Sequence, residues 1–485
     1  VTTHISTDIA SVPFLWALPL ILYISSFIIV FSKRPALTLA QSNRLLPMAI
    51  ATAALALFSN IQLNLFLSIP VHLLTLFLAA MVGHGAMAAD RPEAKRLTEF
   101  YLIMSLGGVL GGAFNALLVP LIFNSVIEYP LMILAILALR PGLRWMGQGR
   151  TRVWSLAAVL ALMAAGLVHL NFGIGEATQL TYRIIAMIAI AAIIMSAHSK
   201  LGPVIAAACT FGISAFANPT GTGLLDRSFF GVVKVLELDG FRVLKHGTTQ
   251  HGAQFLAPEK ALIPTTYYAK ATPIGQVFST HKRPGNVGIV GLGTGSVACY
   301  ARAGQAYTYY EIDPLVAKLA KDPEHFSYLS ECTPNAPIVL GDGRLNLATE
   351  PEQHFDLLLI DAFSSDSIPA HLLTVEAVDL YMSRLSDDGL LVMHISNRHM
   401  DLSRIVARIA DRLGVPVLYQ YYLPAKDTDG RFAASASQVA VLANSRSALT
   451  ELEQNPDWEV LESDGKRPWT DDYSNVIGAI FAKHD

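Results

Sequence analysis

The chain has 485 residues, of which 52% are hydrophobic and 15% charged, with a formal net charge of -3 and a mean hydropathy of +0.43. So little charge at a positive hydropathy excludes an intrinsically disordered chain and argues against a wholly water-soluble one. Residues 1–217 hold 12 Lys and Arg and 6 Asp and Glu, whereas residues 218–485 hold 23 and 32. The second half therefore carries a net charge of -9, which argues against nucleic-acid binding.

The three cysteines, Cys209, Cys299 and Cys332, are widely spaced and form no C-x-x-C pattern. Their number is odd, and their spacing matches neither a disulfide framework nor a zinc cluster. We therefore expect no disulfide scaffold and no metal site.

Residues 1–217 are predicted to form a transmembrane helical domain. A helix needs about 20 largely apolar residues to cross a bilayer, because its backbone polar groups must be satisfied internally. Apolar runs of suitable length occur at 14–31, 45–62, 65–89, 100–123, 153–171, 182–197 and 201–216, with a shorter run at 127–139. The sequence therefore predicts seven or eight spans.

Basic residues concentrate in alternate connections between these runs, at 33–44, 91–96 and 140–152. The positive-inside rule places those three loops in the cytoplasm and the N-terminal end outside. Seven crossings would then leave the second half of the chain in the cytoplasm, and eight would leave it outside.

Glycines of the 100–123 run form two overlapping G-x-x-x-G pairs, Gly107 with Gly111 and Gly108 with Gly112. Small residues at this spacing share one helix face and let another backbone approach closely. We expect this face to pack inside the bundle of one chain, with a homodimer through the Gly107/Gly111 face as the alternative.

The second half is divided into a linker at 218–226, a small β-hairpin unit at 227–285 and an α/β domain at 286–485. In the hairpin, 229–238 alternates as a strand, Asp239-Gly240 forms a two-residue turn and 241–245 returns. The apolar runs that follow, at 287–290, 306–310, 338–340, 355–360, 390–394, 415–421 and 438–442, are separated by helical patterns. This order predicts a parallel, doubly wound Rossmann-like sheet, which binds ligands at the carboxyl ends of its strands.

Residues that follow the first two strands of this sheet indicate a nucleoside site. Gly291, Gly293 and Gly295 surround Thr294 directly after the first strand, where glycines let a backbone approach a ligand. Glu311 ends the second strand, where a carboxylate can accept both ribose hydroxyl protons. Because no third glycine stands at the spacing that seats a pyrophosphate, a nucleoside without phosphate fits better than a dinucleotide.

Further carboxylates follow the third and fourth strands. Asp342-Gly343 follows the third, where the acid could accept from an adenine amine. Asp361 and Asp366 follow the fourth, where they would face a cation held over the sheet. The alternative for any one such Asp is a helix cap or turn former.

These four motifs, in this order, resemble the spermidine synthase family, which comprises polyamine aminopropyltransferases with a methyltransferase-type Rossmann sheet and an N-terminal β-domain. The similarity covers roughly residues 227 to 483. The whole chain resembles bacterial membrane proteins in which a spermidine-synthase-like domain follows a multi-span region. The resemblance implies a sulfonium nucleoside substrate, S-adenosylmethionine or its decarboxylated form, and no permanently bound cofactor.

The resemblance also implies roles for individual residues. The glycine loop would cradle the nucleoside, Glu311 would bind ribose, and Asp342 would bind adenine. Asp361 would be the base that deprotonates the attacking amine, and Asp366 would bind the amine substrate. The remaining predicted site residues are Tyr267 and Tyr268 on the catalytic side, and Thr294, Asp313, Gly343, Gln250 and Gln254 on the nucleoside side.

Two departures from the family pattern bear on the substrates. Thr294 stands where family members usually have an Asp that holds the amine of the decarboxylated tail, so intact S-adenosylmethionine is also a candidate ligand. The family's Tyr-His-Glu amine-binding segment is absent, and 246–254 and 264–268 stand in its approximate place. Putrescine is therefore not predicted as the acceptor.

The predicted activity is cleavage of the γ-carbon to sulfur bond with release of 5'-methylthioadenosine, by aminopropyl-type transfer to an amine or by intramolecular lyase chemistry. The alternatives are an S-adenosylmethionine-dependent methyltransferase and a nucleoside-sensing polyamine or solute transporter. Because this ligand is cytosolic, we expect the bacterial inner membrane with the soluble domain in the cytoplasm. The polar and aromatic segment 468–473 is interpreted either as a lid over the site or as a surface-docking segment.

Overall fold

The computed structural model describes residues 1–2, 4–5, 16–57, 65–145, 149–171, 179–217, 223–247, 249–281, 283–363, 368–397, 400–425, 430 and 432–481. The chain forms two compact units, Val1–Thr220 and Gly221–Asp485.

In the described ranges the regular structure of the first unit is helical. In the described ranges its α-helices are α1 (Ala17–Val30), α2 (Leu39–Leu57), α3 (Leu65–Ala89), α4 (Leu97–Ala113), α5 (Val119–Ile122), α6 (Glu128–Ala138), α7 (Gly149–Asn171), α8 (Gln179–Met195) and α9 (Leu201–Ala217). Helix α3 packs against α1 and α2, and α7 packs against α8 and α9. Their shared core includes Leu46, Ile50, Leu78, Leu162 and Ile193, all of them buried.

Two helices within the described residues are long and apolar enough to cross a membrane, Leu67–Ala89 and Ala94–Ile122. The other apolar helices are shorter, and Ala17–Val30 has 14 residues. At 1.5 Å per residue such a helix rises about 21 Å, less than the roughly 30 Å of a hydrocarbon core. The number of seven or eight spans therefore stays a prediction.

The glycine face of α4 is open. A Cβ atom built at Gly107, Gly108, Gly111 or Gly112 would meet nothing within 4 Å, and Leu110 beside them is 60% exposed. Among the described residues, then, no other helix of the same chain covers this face. The expectation that it packs inside the bundle of one chain is wrong for this part of the molecule.

The second unit begins with a four-stranded antiparallel sheet in which each strand pairs with the next. Its strands are β1 (Leu225–Ser228), β2 (Gly231–Leu238), β3 (Phe241–His246) and β4 (Thr249–Phe255). Asp239 and Gly240 join β2 to β3 with φ of 52° and 80°. Two successive left-handed residues make the tight turn that suits twisted strands, so the predicted hairpin is confirmed. The structure adds β1 and β4, which the sequence analysis missed.

The second sheet of this unit has eight strands in the order β12-β10-β11-β9-β8-β5-β6-β7. They are β5 (Gly285–Val290), β6 (Gln305–Glu311), β7 (Ile338–Leu340), β8 (Phe355–Ile360), β9 (Leu385–His394), β10 (Val417–Tyr422), β11 (Ser437–Ala443) and β12 (Glu459–Val460). Strands β5 to β9 run parallel, and β10 to β12 pair antiparallel. The seven predicted strands and the Rossmann-like fold are confirmed, although β9 begins five residues earlier than expected. The expectation of a wholly parallel sheet is wrong for the β9–β11 and β10–β11 pairs, which are antiparallel.

Helices cover this sheet. They are α10 (Pro273–Thr280), α11 (Pro314–Lys321), α12 (Tyr328–Cys332), α13 (Gly343–Thr349), α14 (Val375–Arg384), α15 (Ser403–Leu413), α16 (Thr450–Glu453) and α17 (Val476–Phe481). The central strand β8 is apolar and buried at five of its six positions, and the exception is Asp356 near its start. A parallel strand covered on both faces has this pattern, which is why its sequence shows a continuous apolar run.

Cys299 and Cys332 form a disulfide, with their Cα atoms 5.0 Å apart and a sequence separation of 33 residues. The expectation of no disulfide is wrong. The two cysteines meet because the 296–300 segment after the glycine loop packs against α12, where Leu329 lies under Gly295. The spacing of the cysteines in the sequence gives no sign of this contact.

We predict that this disulfide stabilises the second unit. In the chain-entropy description, closing a loop of this length is worth about 3 to 4 kcal/mol. Reduction should therefore lower the urea concentration at the midpoint of unfolding. The measurement follows the loss of amide hydrogen-exchange protection in β5 to β8, on the full chain in detergent. The Cys299→Ser/Cys332→Ser variant is the control and should not respond to reductant. Equal midpoints with and without reductant in the unmodified protein would contradict the prediction.

Candidate active site

Four polar side chains lie at the carboxyl ends of neighbouring parallel strands. Glu311 ends β6, Asp342 follows β7, Asp361 follows β8 and His394 ends β9. The glycine loop begins at Gly291, directly after β5, which lies between β8 and β6. Since parallel strands end at the same edge of a sheet, these groups border one site.

The glycine loop is tightly enclosed. Gly291 has a φ of 94°, and a Cβ atom there would lie 2.3 Å from the carbonyl oxygen of Asp361. Gly293 has a φ of 53°, and its Cβ atom would lie 2.5 Å from the carbonyl oxygen of His251 in β4. Only glycine fits these two positions, because both the left-handed backbone and the close approach exclude a side chain. The loop is thus fixed between β8 and β4.

Glu311 is well placed to receive a ribose. Its side chain is buried, and each carboxylate oxygen accepts a backbone N–H, from Leu292 and from Asp313, at 2.9 Å. Burial raises the pKa of Glu311, and these N–H donors oppose the shift. Each oxygen keeps a second lone pair, so the carboxylate can also accept two neighbouring hydroxyl protons.

Asp342 serves as a helix cap. One carboxylate oxygen accepts the Leu345 N–H at 2.9 Å at the start of α13, and the other lies 3.2 Å from Nε2 of His371. Gly343 is needed for packing, since a Cβ atom there would lie 2.4 Å from Val290. Capping leaves lone pairs on Asp342 for a base amine, so its adenine role stays a prediction.

Asp313 also caps a helix, and its carboxylate accepts a second hydrogen bond from another element. It accepts the Leu315 N–H at the start of α11 and the Ser228 hydroxyl at 2.7 Å. The carboxylate therefore ties β1 of the first sheet to α11. Its predicted part in nucleoside binding stays untested, and these hydrogen bonds favour a structural role.

The structure brings three of the predicted catalytic residues together. Asp361 is 7% exposed, and the Tyr268 hydroxyl donates to its Oδ2. The Tyr267 ring lies 4.4 Å from that of Tyr268. Burial raises the pKa of both tyrosines, and the nearby Asp361 carboxylate raises it further. Both phenols therefore stay protonated and can act as donors.

The other predicted residues differ in placement. Gln254 is buried and turned into the fold: its amide donates to Ala261 and Ser327 and accepts the Ser327 N–H. Gln250 lines a cavity beside the site. Asp366 lies outside the described residues.

Within the described ranges no group of three His, Cys, Asp or Glu side chains could hold a metal ion.

Thr294 is fully buried at the inner end of the loop. Its Oγ1 has no hydrogen-bond partner in the described part of the chain, and its side chain fills the space where a Cβ on Gly252 would lie 2.5 Å away. The position where the family usually carries an acid is therefore uncharged and closed off by β4.

A cavity of about 540 Å³ opens on the β9 and β11 side of Asp361. Aromatic rings of Tyr267, Phe363 and Tyr421 form part of its wall, together with His394 and Ser396. None of its described lining residues is an Asp, Glu, Lys or Arg.

Sequence reasoning missed His394 and Ser396. The His394 imidazole lies 2.6 Å from Asp361 by Nδ1 and 2.7 Å from the Ser396 hydroxyl by Nε2. The sequence did contain a signal for His394, because it is the last residue of a predicted parallel strand. The sequence analysis considered only the acidic residues at strand ends as candidates.

The segment 468–473 is docked on the surface of the fold. Trp469 is buried and its carbonyl accepts the Val375 N–H at the start of α14. Asp471 forms a two-point ion pair with Arg344 at 2.8 and 2.7 Å, which lowers the pKa of the Asp471 carboxyl. These contacts describe a docked segment. Because Arg344 also donates to the carbonyl of His371, whose ring lies beside Asp342, the interpretation as a lid stays a prediction.

Comparison with known proteins agrees with these features. A polyamine aminopropyltransferase of Vibrio vulnificus is 30% identical over 177 residues, which are 34% of this chain and 56% of that protein. No family model matches the chain. The predicted resemblance to the spermidine synthase family is confirmed.

Among solved structures, a probable spermidine synthase from Corynebacterium glutamicum is 15% identical and aligns with 53% of this chain and 99% of its own, with a TM-score of 0.39. Spermidine synthase from Thermotoga maritima is 15% identical over 54% of this chain and 86% of its own, with a TM-score of 0.37. The spermidine-synthase-like unit spans little more than half the length of the curated relative that it matches.

We predict that Glu311→Gln weakens binding of 5'-methylthioadenosine by about 10- to 100-fold, because hydrogen bonds to a charged group contribute about 1.5 to 3 kcal/mol. Isothermal titration calorimetry measures the affinity. Because the pKa of Glu311 is raised, binding to the unmodified protein should also weaken on acidification at a higher pH than an ordinary glutamate would give. Glu331→Gln, on the exposed side of α12, is the matched control. Equal affinity for the two variants would refute the ribose assignment.

Proposed function

We propose that the spermidine-synthase-like unit binds an S-adenosyl sulfonium and transfers its aminopropyl group to an amine, releasing 5'-methylthioadenosine. The observation that carries the proposal is the row of Glu311, Asp342 and Asp361 at successive strand ends beside the left-handed glycine loop. The partial similarity to a polyamine aminopropyltransferase supports the same reaction class.

The chemistry requires little more than positioning and removal of a proton. A sulfonium makes its attached carbons electrophilic, and the amine lone pair attacks the γ-carbon while the carbon–sulfur electron pair passes to sulfur. The leaving nucleoside is then a neutral thioether. The protein has to align the two reactants, exclude water and accept the amine proton. The buried Asp361, with Tyr267 and Tyr268 beside it, is the centre of that arrangement.

Lyase chemistry is a second candidate, and the environment of Thr294 favours it. An Asp at this position would repel a substrate carboxylate, whereas the uncharged, buried Thr294 would not. With intact S-adenosylmethionine, the substrate's own carboxylate could attack the γ-carbon and close a lactone without an acceptor. Asp361 would then orient the substrate ammonium.

For the first unit we propose a membrane anchor in the bacterial inner membrane, with seven or eight spans and self-association through the open Gly107/Gly111 face. The two long apolar helices and the uncovered glycines support this. Two features point to opposite compartments for the second unit. A cytosolic substrate favours the cytoplasm for the second unit, whereas the Cys299–Cys332 disulfide favours an oxidising compartment.

The reaction is tested by product analysis. Purified full-length protein is incubated with decarboxylated S-adenosylmethionine or S-adenosylmethionine, each with and without a panel of amines, and products are identified by mass spectrometry. Amine-dependent methylthioadenosine supports transfer, and its release from S-adenosylmethionine alone supports the lyase. S-adenosylhomocysteine would show a methyltransferase instead, and no product from either sulfonium would refute an enzyme of this class.

In the same assay we predict that Asp361→Asn lowers the rate by about 10²- to 10⁴-fold, the range for loss of general base assistance. Binding of methylthioadenosine should stay within about twofold, since the adenosine contacts lie on other strands. Asp379→Asn, exposed on α14, is the matched control and should keep the full rate. A full rate for Asp361→Asn would exclude Asp361 from the chemistry.

The compartment is tested by reporter fusions after Asp485. We predict that in bacterial cells a fusion to green fluorescent protein is fluorescent and a fusion to alkaline phosphatase is inactive. The reason is that seven crossings leave this end of the chain in the cytoplasm. Fusions after Leu139 are measured in parallel, since the basic loop that follows is expected on the same side. An active phosphatase fusion after Asp485 would instead agree with eight crossings and an oxidised cysteine pair.

A further inference from the structure

A continuous chain of hydrogen bonds runs from Asp361 to the cavity beside it. Oδ1 of Asp361 lies 2.6 Å from Nδ1 of His394, and Nε2 of His394 lies 2.7 Å from Oγ of Ser396. Ser396 is partly exposed and lines the cavity, as does His394. Carboxylate, imidazole and hydroxyl are thus connected in the order that proteins use to move a proton away from a nucleophile.

The contact with Asp361 determines the direction of this chain. A carboxylate can only accept, so Nδ1 of His394, 2.6 Å away, carries the imidazole proton and donates it to Oδ1. In the neutral imidazole Nε2 is then the acceptor, and the Ser396 hydroxyl donates its single proton to it. One lone pair of the Ser396 oxygen accepts the N–H of Gln438 at 2.8 Å, which is compatible with this arrangement.

The opposite tautomer is disfavoured by the same contacts. A lone pair on Nδ1 would face the Asp361 carboxylate at 2.6 Å, with two acceptors in contact and no proton between them. The other oxygen of Asp361 already accepts from Tyr268. The imidazole is also held between Tyr267 and Phe363, whose ring centroids lie 4.6 and 4.7 Å from its own.

Asp361 is poorly placed to meet an acceptor directly. Its side chain is 2% exposed, and it is not among the described residues that line the cavity. Ser396, in contrast, faces the cavity with one unused lone pair on Oγ. The atom that an acceptor N–H can reach is therefore the Ser396 oxygen.

We propose that the acceptor's proton leaves through Ser396 to His394, and that Asp361 acts as the positioning partner of His394. This rests on the proposed transfer reaction. As the amine nitrogen forms its bond to the γ-carbon and the carbon–sulfur pair moves to sulfur, its proton passes to Oγ of Ser396 and the hydroxyl proton passes to Nε2 of His394. The imidazolium then has one proton on each nitrogen, and the Asp361 carboxylate balances its charge.

The relay also limits the class of acceptor. The reacting nitrogen must carry a proton that it can donate to a neutral hydroxyl, which suits a primary or secondary amine and excludes a tertiary one. A tertiary amine could still attack a sulfonium, but it would have no proton to release.

The test uses the full-length protein and an amine that supports turnover by the wild type. His394→Gln should lower kcat by about 10²- to 10⁴-fold, because glutamine has no group that takes up a proton. Ser396→Ala should lower it by at least about tenfold, and Ser396→Thr, which keeps the hydroxyl, should retain most of the rate. In all three, KM for the sulfonium and affinity for methylthioadenosine should stay close to wild type.

Chemical rescue separates proton transfer from packing. His394→Ala should recover activity with added imidazole, and Asp361→Asn should not, since its imidazole is present. A wild-type kcat for His394→Gln, or a Ser396→Ala variant as active as Ser396→Thr, would overturn the relay. If the wild type releases no methylthioadenosine with any amine, the proposed function itself has failed, which is a separate outcome.

The tautomer gives a readout that needs no substrate. In protein labelled with nitrogen-15 histidine, the signal lost in His394→Gln should belong to an imidazole protonated on Nδ1. Asp361→Asn should shift that signal. A neutral imidazole protonated on Nε2 would overturn the relay whatever the activity of the enzyme.

Discussion

The buried carboxylate of Asp361 is the interaction on which the rest of the site depends. A charge with so little exposure is costly unless donors surround it, and here Tyr268 and His394 supply them. The same residue's backbone defines the glycine loop, because Gly291 lies against its carbonyl oxygen. One residue thus supplies the carboxylate that Tyr268 and His394 contact and fixes the position of the glycine loop.

Much of this could be predicted from the sequence because it depends on local pattern. Buried strands give short, largely apolar runs, so the strands from β5 to β11 were located within a few residues, and Asp239-Gly240 indicated its hairpin. Since parallel strands end at one edge, the acids that follow them could be placed in one site without knowing any distance. Glu311 and Asp361 were found in this way.

What the sequence did not reveal depends on contacts between distant segments. Asp313 looks like a strand-end ligand until its partner Ser228 is seen, 85 residues away in the chain. The Cys299–Cys332 bond and the contact of Ser396 with the Gln438 N–H likewise follow from packing that no spacing encodes. The helices of the first unit are a different case, because an apolar run predicts burial in lipid or in protein equally well.

The small antiparallel sheet is better understood as part of the site than as an appendage. Strand β4 supplies the His251 carbonyl that encloses Gly293, and Gln254 joins the same strand to Ser327 just before α12. Helix α12 is in turn bonded through Cys332 to the segment after the glycine loop. The glycine loop therefore packs against β4 on one side, and the segment that follows it is bonded to α12 by the disulfide. A nucleoside entering it would meet a preformed cradle, so binding would require little ordering of the backbone.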